Sequence, residues 1–123
     1  MRDRGFTLIE LLVALAILAM ILSIAVPRYF SNIETAKENV LREDLFVMRD
    51  AIDHFYSDRG TYPTQLLDLV TYNYLRSVPV DPITQSAASW ILIAPQQNGI
   101  GAIWNVESGA PGQAQDGEWF INF

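Results

Sequence analysis

Glu10 is the residue whose surroundings most demand chemistry. It is the one charge in the apolar run Phe6–Val26. A carboxylate held in hydrocarbon costs about 2.5–3.5 kcal/mol on insertion scales. A chain that keeps one there needs a proton or a cation to neutralise it. The start of a helix already favours the negative form, because the positive end of the macrodipole lies there. Glu10 therefore points to a charge pair made in an apolar setting. The plainer alternative is a glutamate that snorkels to the membrane surface.

The other candidate residues are weaker. His54, the one histidine, follows Asp50 by a helical turn and reads as a solvated or paired side chain without a catalytic partner. Glu107, Asp116 and Glu118 cluster in sequence near the C-terminal end. The chain has no cysteine, so neither a disulfide nor a Cys/His metal site can form. No glycine-rich phosphate loop follows a strand. With 14 acidic and 8 basic residues the formal net charge is −6, which argues against a general nucleic-acid surface.

The elements that would position these residues follow from pattern. Phe6–Val26 is long enough for a membrane-spanning helix, which needs about 20 residues. Arg2 and Arg4 precede it and would keep the N-terminus on the cytoplasmic side. Pro27 removes a backbone donor and disfavours helix at Val26, so a kink or a locally melted stretch is expected there; a helix that simply ends at the membrane surface is the alternative. From Tyr29 to Asp58 the pattern is helical again, with Ile33, Ala36, Val40, Met48, Ile52 and Phe55 as the stripe and Leu41, Leu45 and Tyr56 broadening it. Glu38–Arg42 and Arg49–Asp53 stand four apart on the other face, spaced for helix-surface ion pairs. Gly60 is the stop.

Thr64 is the expected N-cap of a short helix over Gln65–Tyr72. Leu75–Pro82 holds two prolines and reads as an extended connector. Trp90–Ala94 reads as a buried strand closed by Pro95, Gln96–Gly99 as its turn and Ala102–Val106 as its hairpin partner. Ser108–Gly117 is a Gly/Ala/Pro/Gln-rich loop, and Glu118–Phe123 alternates apolar and polar as a closing strand would. The fold class is α+β: a long N-terminal helix packed on a small antiparallel sheet. About a hundred residues outside the span suffice for one modest core.

The junction Gly5-Phe6-Thr7-Leu8-Ile9-Glu10 resembles the leader signal of type IV pilins and pseudopilins. Ala51–Thr64, Val78–Pro82, Trp90 and Val106–Trp119 are similar to major pseudopilins of type II secretion (the G type), so the resemblance spans nearly the whole chain. It implies residues 1–5 as a leader peptide, 6–27 as the transmembrane and filament-core helix, and 28–123 as a periplasmic pilin-like domain. It implies cleavage after Gly5 by a prepilin peptidase, methylation of the Phe6 amine, and pairing of that amine with Glu10 of a neighbouring subunit. Removal of the leader takes two arginines and one aspartate and leaves the chain more acidic. Pro27 is implied as the place where the helix loosens on assembly.

The function so implied is structural, not enzymatic: a subunit that polymerises from the bacterial inner membrane with itself, an assembly platform and minor pseudopilins. A type IV pilin for adhesion, motility or DNA uptake is the alternative within the superfamily. A membrane-anchored periplasmic binding module or small enzyme is the alternative outside it, and a plain single-pass anchor is what hydropathy alone requires. The resemblance also implies a calcium ion in the C-terminal loop, where Glu107, Asp116 and Glu118 are the available carboxylates. Pro111 stands where a further carboxylate is expected, so the expectation is no cofactor and a loop held by packing of Trp104 and Trp119.

Overall fold

The computed structural model describes residues 4–96 and 102–123. Helix α1 runs Leu8–Arg59 and contains Pro27. A short helix α2, Leu66–Thr71, follows, then strands β1, Ile91–Ile93, and β2, Asn105–Glu107, and a 3-10 turn at Phe120–Asn122. The fold is α+β, a long apolar N-terminal helix with a small antiparallel sheet, as the sequence implies. The chain divides into two compact units, Met1–Glu34 and Thr35–Phe123.

In the first unit the helix is apolar on every side. No residue of its apolar window is buried, and it is long and apolar enough to cross a membrane. A helix without a polar face belongs inside lipid or among other helices. The melted stretch expected at Pro27 is absent: helix continues through it without a break. The hydroxyl of Ser23, whose carbonyl Pro27 cannot serve, donates to the Met20 carbonyl at 2.7 Å. One lost hydrogen bond does not unwind a helix that continues for several turns on either side.

In the second unit α1 supplies one wall of the core through Leu41, Leu45, Met48, Ala51, Ile52 and Phe55. The alternating four-and-three spacing of 41, 45, 48, 52 and 55 holds one face. The expected stripe was displaced at its start, because Ala36 and Val40 lie off that face and are exposed. The opposite wall comes from Leu66 and Leu69 of α2, with Leu75, Trp90, Ile103, Val106 and Phe120. Gly60 adopts φ +70° and ends α1, its amide donating to the Tyr56 carbonyl at 2.8 Å.

Helix α2 begins one residue later than expected, with Gln65 at its N-cap. Thr64 instead donates its hydroxyl to Asp68 at 2.7 Å, and Asp68 also accepts the Gln65 amide at 3.1 Å. The Thr64 hydroxyl, with both neighbouring amides, holds the Asp68 carboxyl below the usual range despite some burial.

The hairpin pairs Ile91 with Glu107, Leu92 with Val106 and Ile93 with Asn105, antiparallel. The turn expected at Gln96–Gly99 falls mostly outside the described residues. β1 is not buried as expected: Ile91 and Leu92 are exposed, whereas Val106 in β2 is fully buried. Val106 joins the apolar core to which α1 contributes, whereas Ile91 and Leu92 lie outside it. The expected closing strand Glu118–Phe123 is also corrected. Only an isolated bridge joins Trp119 to Gln113, and Phe120 then turns inward at the start of the 3-10 turn. One buried aromatic, Phe120, anchors this end.

Candidate functional site: the head of the long helix and the clasped C-terminal loop

Thr7 and Glu10 close a reciprocal cap on α1. The Thr7 amide donates to Glu10 Oε2 at 2.8 Å, and the Glu10 amide donates to Thr7 Oγ1 at 3.3 Å. With Leu8 as the first helical residue, Thr7 is the N-cap and Glu10 the third helical position, which is the geometry of a capping box. The spacing Thr-x-x-Glu that forms it is readable in the sequence. The cap fixes where the carboxylate sits. It engages one oxygen, and among the described residues Oε1 takes no hydrogen bond.

Gly5 and Phe6 precede the helix, and Phe6 is 91% exposed. A chain starting at Phe6 would carry its amine one residue before the capped Thr7. Pro27 lies within α1, well away from this end.

The second constellation joins α1 to the C-terminal segment. The two surface ion pairs expected along α1 are not the contacts made. Arg42 NH2 lies 2.9 Å from Glu118 Oε2 and 3.5 Å from Asp116 Oδ2. Its guanidinium also stacks over the Phe123 ring, 3.6 Å from the centroid. Glu38, one turn earlier, accepts the Gln115 amide at 2.9 Å. Arg49 turns from Asp53 to the hairpin and the chain end: Nε to Asn105 Oδ1 at 3.0 Å, NH2 to the Val106 carbonyl at 2.9 Å, NH1 to the Phe123 main-chain oxygen at 2.9 Å. Isolated helix pairs stabilise by only about 0.2–0.5 kcal/mol. Tertiary acceptors on a neighbouring segment outcompete them.

A third tie was not foreseen. Asp81 is fully buried, and its carboxylate accepts the amides of Ile83 at 2.8 Å and Thr84 at 3.2 Å. Ser108 donates its hydroxyl to Asp81 Oδ2 at 2.7 Å. The connector is thereby bonded to the start of the C-terminal loop. An Asp between two prolines, in an apolar stretch, was the available signal. Asp44 of α1 feels this carboxylate: burial, then Asp81, then Glu43 push its pKa up.

The loop is not packed by tryptophans as expected. Trp104 and Trp119 are both exposed, and the core side chains from this region are Ala110, Ala114 and Phe120. Trp90 is the buried tryptophan, its indole N–H donating to the Pro79 carbonyl at 2.9 Å. His54 is exposed, with Nδ1 2.9 Å from the Asp50 carbonyl and 3.5 Å from its carboxylate. The bond to that carbonyl, and then the charge of Asp50, raise its pKa.

Calcium takes six to eight oxygens, and the three candidate carboxylates are not brought together. Asp116 and Glu118 are turned on Arg42. Glu107 stands elsewhere, in β2, on the rim of an open cavity of about 570 Å³ shared with Arg49, Asp53 and Trp104. Among the described residues no three carboxylate or imidazole groups converge.

Residues 1–26 match the prokaryotic N-terminal methylation motif. The chain is 31% identical to the type II secretion system core protein G of Klebsiella pneumoniae, over 98% of its own length and 96% of that protein. It is also 31% identical to core protein G of Pectobacterium carotovorum, over 98% and 87% of the two chains. The core protein G of Pseudomonas aeruginosa is 31% identical over 66% of this chain and 68% of that one. No solved structure matches the chain. An N-terminal methylation motif on an unburied apolar helix, with nearly full-length similarity to the first two of these proteins, places the chain in one family: it belongs to the type II secretion system core protein G family.

Proposed function

We propose that this chain is a structural subunit of the pseudopilus that drives type II protein secretion. A prepilin peptidase removes Met1–Gly5 and methylates the Phe6 amine. Residues 6–27 hold the subunit in the bacterial inner membrane, and the domain beyond them lies in the periplasm. An assembly platform draws subunits from lipid into a filament tipped by minor pseudopilins. The work is mechanical and asks no catalytic group of this chain.

The observation that carries the reading is the first unit: a helix apolar on all sides, wholly unburied, headed by a capped glutamate. Such a surface requires cover. Lipid supplies it before assembly and the same helix of other copies supplies it afterwards. In the filament, the Phe6 amine of one copy neutralises Glu10 of the next and sets the axial register. The capping box presents that carboxylate with one oxygen free among the described residues. The names of the relatives favour secretion over the adhesive or motile pili of the same superfamily.

Intact mass of the protein, purified from a host that carries the peptidase, tests the first step. The expected species lacks Met1–Gly5 and bears one methyl group at Phe6. A membrane-inserted product that still begins at Met1 contradicts the proposal.

A further inference from the structure

The C-terminal loop meets α1 at two successive turns. Glu38 takes the Gln115 amide, and Arg42 lies against the carboxylates of Asp116 and Glu118. The loop is also organised internally: the Glu118 amide donates to Asp116 Oδ1 at 3.0 Å, and the Ala114 amide donates to the Glu118 carbonyl at 2.8 Å. Asp116 therefore has one oxygen engaged by the loop and the other turned toward the guanidinium. Phe123 completes the arrangement by stacking its ring on that guanidinium.

We infer that Arg42 is the built-in cation of this loop, holding residues 114–118 on α1 where the fold family would place calcium, and that the loop is insensitive to the metal. Two features support this. The negative side chains that a cation would gather are already gathered, by a residue of the chain itself. The third candidate carboxylate, Glu107, belongs to β2 and faces a different cavity. A guanidinium also does what a hard metal ion does not: it presents a flat face to an aromatic ring while donating in its plane. The Phe123 ring at 3.6 Å uses that face.

A covalently attached cation differs from a bound one in consequence. The loop is formed whenever the domain is folded, whatever the free calcium level outside the inner membrane. Assembly surfaces that include the loop would then be ready in calcium-poor surroundings.

The test is hydrogen exchange on the full chain in detergent, in excess calcium chloride and in chelator. The wild-type amides of 114–118 are expected to exchange equally in both. Arg42→Gln should speed their exchange about tenfold and leave the Val106 amide unchanged, with no recovery on adding calcium. Glu118→Gln should give the same local effect, and the double variant should add nothing to the larger single one. If Arg42→Gln unfolds the whole domain, Glu118→Gln, at a half-exposed position, decides the matter. Slowing of loop exchange by calcium in either protein, or no acceleration in Glu118→Gln, overturns the inference. Either result leaves processing at Gly5 and filament formation to be judged by their own assays.

Discussion

Replacement of Arg49 by methionine keeps the bulk of the side chain and removes the clamp between α1, β2 and the chain end. Three acceptors lose a charged donor: Asn105 Oδ1, the Val106 carbonyl and the Phe123 main-chain oxygen. They do not count equally. Asn105 Oδ1 keeps the Val106 amide as a donor at 2.9 Å, and water can reach Phe123, which is only partly buried. Val106 is fully buried, so its carbonyl is the group left in difficulty. An unsatisfied buried acceptor costs about 1–3 kcal/mol, and a lost bond to a charged donor about 1.5–3 kcal/mol. Because the bonds share one half-buried side chain they do not sum. About 3 kcal/mol is the expected loss, out of the roughly 5–15 kcal/mol that holds a domain of this kind. At 4–8 °C per kcal/mol this is a fall in Tm of roughly 15 °C. Urea unfolding of residues 27–123, followed by tryptophan emission, measures it, with an unchanged slope showing that the same surface unfolds. Arg49→Lys, one donor point in place of a fork, should recover part of the loss. A change below about 1 kcal/mol for Arg49→Met would refute the assignment of Arg49 as the clamp, since that is the ordinary scale of a surface substitution.

Deletion of Met1–Val26 should leave a folded, monomeric domain, because the core residues from Leu41 onward all lie in the second unit; a non-cooperative melt would contradict this. Asp44 has its pKa raised above the ordinary 3.8 by burial, then Asp81 and Glu43. Its ionised form therefore opposes folding. The penalty is absent below 3.8, grows as pH rises through that value, and is complete above the folded pKa, so Asp44→Asn should be the more stable at neutral pH and equal to wild type in acid. Equal Tm values at neutral pH would count against that sign. Gly109→Ala should destabilise the domain, because a Cβ there would collide with the Ser89 carbonyl; an unchanged Tm would show that the two segments part without cost.

How far the sequence foretold the structure depended on the range of the interaction. The Gly5–Glu10 junction, the apolar run and the Gly60 stop are local signals, and each stands where its residues placed it. The hairpin was legible because β-branched and aromatic runs flank a turn region. The partners of Arg42 and Arg49 were not legible: each has an acid four residues away, and that short-range rule gave the wrong partner. Nothing along the chain says that residues 105–123 return to lie beside these two turns. The tryptophans misled for a related reason. Large aromatics are buried on average, but here the small Ala110 and Ala114 fill the core from this segment, and Trp104 and Trp119 are left outside. The Thr7–Glu10 cap is a local signal too, legible as Thr-x-x-Glu.

Glu10 is proposed to serve assembly and not only its own helix. Thr7→Val and Glu10→Ala separate the two roles. Thr7→Val removes the hydroxyl that caps the Glu10 amide, at a cost of roughly 1 kcal/mol to the helix start, and leaves the carboxylate in place. Glu10→Ala removes the carboxylate and with it the desolvation cost of about 2.5–3.5 kcal/mol, so insertion should be at least as good as wild type. Electron microscopy of filaments from cells expressing each variant with the secretion components is the measurement. Wild-type filaments are expected from Thr7→Val, and none, or none with regular register, from Glu10→Ala, although both are cleaved and inserted. Normal filaments from Glu10→Ala, or equal failure of both variants, would contradict it.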